Sequence, residues 1–123
     1  MPSLTYQLLS PVECLDVLRA AHVTRAAFTN GEKPYLVPMA FRLEAEGVTP
    51  LICLCMPDGG RKVEYLCRCD RVCLEFEEPS CTFVDVVLLE GPVVPVAWEK
   101  GQGLLLHVKG EEISGRRFFL PDL

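Results

Sequence analysis

Short apolar-rich runs of strand length recur along this chain, and one of them alternates apolar and polar residues with the period of a half-buried strand. Across residues 71–77, Val72, Leu74 and Phe76 share one face, while Arg71, Cys73, Glu75 and Glu77 take the other. Strand-length runs of similar chemistry cover residues 24–29, 35–43, 51–56, 82–89, 93–98 and 104–113. Turn signals separate them. Asn30-Gly31 reads as a hairpin, because both residues tolerate positive φ. Glu44-Ala45-Glu46-Gly47 and Lys100-Gly101-Gln102-Gly103 read as turns. Pro38 inside the second run marks an edge, a bulge or a missing ladder bond. Residues 82–89 and 93–98 read as one long strand interrupted at Gly91-Pro92, and Gly115 is expected to end the last strand.

Two stretches break this period. Ser10-Pro11-Val12-Glu13 opens a helix: serine caps the free amides, proline suits the first helical position, and glutamate three residues after the cap completes a capping box. Leu15, Leu18 and Ala21, with Cys14 beside them, form its apolar stripe, and it is expected to end near His22. Residues 61–69 read as a second, short helix with Val63, Leu66 and Cys67 on one side. The sum is six or seven strands joined by hairpin-sized connections, with two short helices. That predicts a mainly β fold, a small antiparallel barrel or closed sheet with a capping helix, rather than alternating βαβ units. Residues 1–123 suit a single domain.

Composition narrows the function. Half of the 123 residues are hydrophobic and the net charge is −5, which excludes a disordered chain and argues against a general nucleic-acid surface. No apolar run approaches the roughly 18–20 residues of a membrane span. Residues 1–6 lack the basic start and apolar run of a signal peptide, so a cytoplasmic location is expected. Seven cysteines are many, and an odd number, in a chain able to bury a core; we read reduced thiols rather than a disulfide framework. Zinc sites favour cysteine pairs two to four residues apart. Here Cys53 and Cys55, and Cys67 and Cys69, are each separated by one residue, and His22 and His107 add no ligand pair by spacing. In a strand, Cys53 and Cys55 share a face as small hydrophobes. No metal is expected.

The most informative local feature is Asp58-Gly59-Gly60-Arg61-Lys62. Two flexible glycines lead into a helix whose first turn carries two cations. That is unfavourable beside the positive helix end when the site is empty, and favourable when a phosphate or similar dianion binds. Arginine offers a fork of donors and lysine a point charge. The plain alternative is a solvated helix start with both side chains in water. The loop does not follow the P-loop pattern.

At this point the chain resembles the FMN-binding split barrels related to pyridoxamine 5′-phosphate oxidase, especially the short nitroimidazole-reductase-like branch. The matching segments occur in order over most of residues 6–117. They are the leading helix from Ser10, the hairpin with Pro34-Tyr35-Leu36-Val37-Pro38-Met39-Ala40-Phe41, and Gly60-Arg61-Lys62-Val63-Glu64-Tyr65-Leu66. After them come Arg71-Val72-Cys73-Leu74-Glu75-Phe76, Leu89-Glu90-Gly91-Pro92, and Glu111-Glu112-Ile113-Ser114-Gly115-Arg116.

The resemblance implies a six-stranded antiparallel split β-barrel with an N-terminal helix and one short inserted helix. It implies a homodimer with one FMN in each of two interface clefts. Arg61 and Lys62 would hold the FMN phosphate. Val37, Pro38, Met39 and Ala40 would lie along the isoalloxazine ring, mostly through backbone groups. Cys55 and Met56 would border the ring or ribityl chain. The sequence departs from the branch in two places: residues 52–56 hold no histidine, and residues 97–103 leave room for a short turn where relatives commonly carry a helix.

The function this implies is an FMN-dependent oxidoreductase reducing a small acceptor, such as a nitro compound or quinone, with NAD(P)H as a candidate donor. The alternatives are a flavin-binding or sensing module without turnover, or the same barrel holding haem or a deazaflavin. No catalytic residue is assigned. Tyr35, Tyr65 and His107 are candidates by type alone.

Overall fold

The computed structural model describes residues 5–57, 59–99 and 103–121, with side chains described for all of these except 96–99. The elements run β1 (Tyr6–Leu8), α1 (Pro11–Ala20), β2 (Val23–Thr29), β3 (Pro34–Ala45), β4 (Leu51–Met56), α2 (Arg61–Leu66), β5 (Arg71–Pro79), β6 (Phe83–Glu99), β7 (Gly103–Lys109) and β8 (Glu112–Phe119). Among the described residues, no helix is long and apolar enough to cross a membrane.

Local chemistry explains the elements. In β5 the alternation read from the sequence holds, and Val72, Leu74 and Phe76 are buried. At the start of α1 the Glu13 amide donates to Ser10 Oγ at 3.2 Å, while the Ser10 amide donates to Glu13 Oε1 at 2.9 Å. These bonds hold the Glu13 carboxyl below its ordinary value of 4.5. A carboxyl depressed on folding stabilises the protein above its unfolded pKa, and that contribution is lost as pH falls through the folded value. Ser10→Ala should therefore cost about 1 kcal/mol in urea melts at neutral pH. Glu13→Gln should be less stable than the wild type at neutral pH and approach it below pH 4.5, as Glu13 takes up its proton; a difference independent of pH would remove the carboxylate charge from the cap. α1 ends at Ala20, so His22 lies beyond it. Its buried residues are Cys14, Val17 and Leu18; Val17 joins the predicted stripe because the helix packs against three strands, β5, β6 and β8.

The strands form one antiparallel sheet in the order β1-β8-β6-β5-β2-β3-β4-β7, closed by pairing of β6 with β7. Six strands, β2 to β7, make the barrel, and β8 and β1 extend from the outer edge of β6. Closure depends on strands that change partner. The first part of β6 pairs with β5 and β8, and residues 93–99 pair with β7. The expected interruption at Gly91-Pro92 is therefore a change of neighbour within one continuous strand. Inside the barrel, Ile52, Leu54, Met56, Leu74, Phe76, Val87, Leu89, Leu106 and Val108 are almost inaccessible. Asp85 is 7% exposed and accepts two hydrogen bonds from the Arg117 guanidinium, at 2.8 and 3.0 Å.

Three expectations change. The predicted last strand is two, β7 and β8, turning at Gly110-Glu111. Gly115 sits inside β8, where Leu9 and Cys14 pack over it, and does not end it. The Asn30 turn spans residues 30–33, since Thr29 pairs with Pro34. Only Gly31 has positive φ there, while Asn30 Oδ1 accepts the amides of Glu32 and Lys33 at 2.9 and 2.8 Å. The side chain bends the chain where a second left-handed residue was expected.

Candidate functional site

β3 exchanges its partner half-way along. Residues 34–40 pair with β2, and residues from Phe41 onward pair with β4. Leu54, opposite Phe41, is the last residue of β4 paired to β3; Cys55 and Met56 pair only with β7. Beyond the Phe41–Leu54 pair the two strands diverge. Each leaves one backbone edge without a strand partner, and such edges carry amides and carbonyls that still require hydrogen bonds.

This gap collects residues singled out from the sequence. Val37, Pro38, Met39 and Ala40 lie along one lip, and Cys55 and Met56 along the other. Val37 is half-buried, while Pro38, Ala40 and Cys55 are exposed. Met39 and Met56 are 8% and 1% exposed, with side chains in the core, so at the lip they offer backbone groups. Pro38 pairs across from Arg25 of β2 and has no strand on its other side. A proline fits there because a strand with one free edge does not need every amide.

The link from β4 to α2 forms one end of the gap. Gly59 and Gly60 have φ of +89° and +86°, a region side chains rarely adopt, so two glycines make the reversal without strain. Asp58 lies outside the described residues. Arg61 follows, and its guanidinium carbon stands 4.9 Å from the centre of the Tyr35 ring. Tyr35 in turn meets Tyr65 edge-on, with ring centres 5.9 Å apart. Tyr65 is buried, so the Tyr65–Tyr35–Arg61 chain fixes α2 to the entry of β3.

Arg61 is exposed and Lys62 half-buried. Among the described residues neither has a carboxylate partner, whereas Arg19, Arg25, Arg42, Arg71 and Arg117 each do. Two cations without a carboxylate partner among the described residues thus stand beside unpaired backbone edges. That combination suits a planar, polar molecule with an anionic tail.

Other groups are less suited to chemistry. All seven cysteines are free. Burial is the main cause that raises the thiols of Cys14, Cys53 and Cys73, which favours the protonated thiol where no metal is bound. His107 lies on β7 beside Cys53, away from the gap lips. A separate groove of about 600 Å³ between α1 and β8 is lined by Val12, Cys14, Leu15 and Ile113, and no cation lines it. The partner exchange that opens the β3–β4 gap is what sequence reading missed. Pro38 was its one local signal.

No family model matches the chain, and no curated protein does. Solved structures do. A candidate 5-nitroimidazole antibiotic resistance protein from Bacteroides thetaiotaomicron superposes with a TM-score of 0.80 at 17% identity, covering 97% of this chain and 91% of that one. The fold is a split barrel. An FAD-binding protein from Mycobacterium smegmatis shares this split barrel with a TM-score of 0.76 at 21% identity, covering 93% of this chain and 99% of its own. A candidate pyridoxamine 5′-phosphate oxidase from Corynebacterium glutamicum gives 0.75 at 16%, covering 100% and 99%. These are the neighbours that the ordered motifs led us to expect of a split barrel.

Proposed function

We propose that this chain is a flavoprotein that binds FMN across the β3–β4 gap and reduces a small acceptor such as a nitro compound or quinone. The observation that carries the reading is the pair Arg61 and Lys62, without carboxylate partners among the described residues and adjoining the open edges of β3 and β4. The flavin-binding names of structural neighbours support it.

A bound flavin supplies the hydride and electron chemistry. The chain's part is to bind and orient. Arg61 presents a fork of donors to a phosphate, pre-set by the Tyr35 ring, and Lys62 adds a second charge. The backbone at residues 37–40 would lie along the ring system, and Cys55 and Met56 would border it from the opposite lip. No proton transfer is assigned to a side chain. NAD(P)H is the proposed donor. A homodimer would cover the apolar residues left on the barrel's outside, such as Leu36 at 64% and Val94 at 42% exposure, and would put a flavin in each interface cleft. Seven free thiols suit the reducing cytoplasm.

The decisive measurement is the absorbance spectrum of the chain purified without added cofactor, followed by titration with FMN, FAD and riboflavin. We expect a flavin spectrum, FMN bound more tightly than riboflavin, one flavin per chain in a sedimenting dimer, and NAD(P)H oxidation when an acceptor is present. Flavin bound without turnover would make the protein a binding or sensing module. Tightest binding of FAD would move the phosphate site to a dinucleotide. A haem or deazaflavin spectrum, or a colourless chain indifferent to flavins, would overturn the reading.

A further inference from the structure

The outer face of the sheet made by β3, β4 and β7 brings together three side chains of metal-ligand type. Cys53 of β4 stands directly across from His107 of β7 on one side and Arg42 of β3 on the other. Glu44 is two residues beyond Arg42, where the register shifts between Leu43 and Ala45. It is the extra residue of a bulge, a device that re-aims one side chain out of the regular ladder. Its carboxylate, the Cys53 sulfur and a His107 ring nitrogen all lie within 4.8 Å of one another.

We propose that Glu44, Cys53 and His107 form a site for a divalent transition metal, with zinc the best match. Zinc takes thiolate at about 2.3 Å and imidazole or carboxylate at about 2.0–2.2 Å, so tetrahedral ligand atoms stand roughly 3.5 Å apart. The ligand atoms stand at most 4.8 Å apart, so they would have to close by no more than about 1.3 Å to reach that spacing. Thiolate with imidazole selects against magnesium and calcium, which prefer oxygen ligands throughout. Three protein ligands leave a fourth position for water, and the exposed Glu44 side keeps it accessible.

Arg42 donates to Glu44 and so occupies the carboxylate in the metal-free chain. It is a weak competitor: its side chain is 73% exposed, and such surface pairs contribute little. A metal would take its place, and the Cys53 proton would leave to solvent as the thiolate binds. Spacing along the chain could not show this site, because its residues are far apart in sequence and meet only through strand pairing.

The test is titration of the reduced full-length chain with Co²⁺, followed by difference spectra against the metal-free protein, and then displacement by Zn²⁺. We expect one Co²⁺ per chain, a thiolate-to-cobalt charge-transfer band in the near ultraviolet, and visible bands of four-coordinate intensity. His107→Gln and Glu44→Gln should each weaken Co²⁺ binding at least about tenfold, since even residues outside the ligand set cost that much. Cys53→Ser should abolish the band, and Cys81→Ser should keep it. A wild-type spectrum without the thiolate band overturns the proposal, whatever the variants do to folding. So does a band that survives Cys53→Ser, or affinity indifferent to His107 and Glu44. None of these readouts depends on flavin binding.

Discussion

Replacing Arg61 and Lys62 together with alanine should weaken FMN binding about 100-fold and leave riboflavin binding within about threefold. The two ligands differ by the phosphate alone. Each charge-assisted hydrogen bond to a phosphate oxygen contributes at the lower end of its usual range here, because Arg61 is exposed and Lys62 only half-buried. Arg61→Lys should recover only part of the loss, since lysine keeps the charge but lacks both the fork and the planar contact with Tyr35. Fluorescence titration of the apoprotein with both flavins gives the comparison directly. Parallel losses for FMN and riboflavin would show that the pair supports the fold of α2 rather than an anion.

The largest loss of stability should come from a single methyl group at Gly91. This residue lies where β6 passes from its β5 and β8 partners to β7. A Cβ there would run into the carbonyl oxygen of Lys109, with its carbonyl carbon and the Glu111 amide close behind. The obstacle is backbone, so no rotamer change relieves it. Gly91→Ala should cost about 3 kcal/mol or more, beyond the usual range for overpacking. Urea unfolding should show a lower midpoint with an unchanged slope. A wild-type midpoint would mean that β6 and β7 separate at this point more readily than their register indicates.

Much of the fold could be read from local pattern because each strand carries its own inside and outside. The alternation in β5 and the capping box of α1 are properties of a few consecutive residues, and both appear as read. The errors arose where a non-local contact decides. Gly110 turns the chain between β7 and β8 and gives its amide to Pro50, a residue distant in sequence, so nothing local separates the two strands. β1 is only three residues long and exists because β8 offers it an edge. The cations at Arg61 and Lys62 were legible as a pair. Their position beside Tyr35, and the opening between β3 and β4, depend on which strand each neighbour chooses. The same limit hid the approach of Glu44, Cys53 and His107.

β3 and β6 each take part in both halves of the barrel, so the wall cannot part along a seam between independently folded pieces. Widening the β3–β4 gap would bend a strand that is still hydrogen-bonded along its other edge. α2 is tied to the entry of β3 through Tyr35 and Tyr65, and Tyr65 is itself part of the core, so this end of the opening is held as well. The width of the opening is thus a property of the strand pairing.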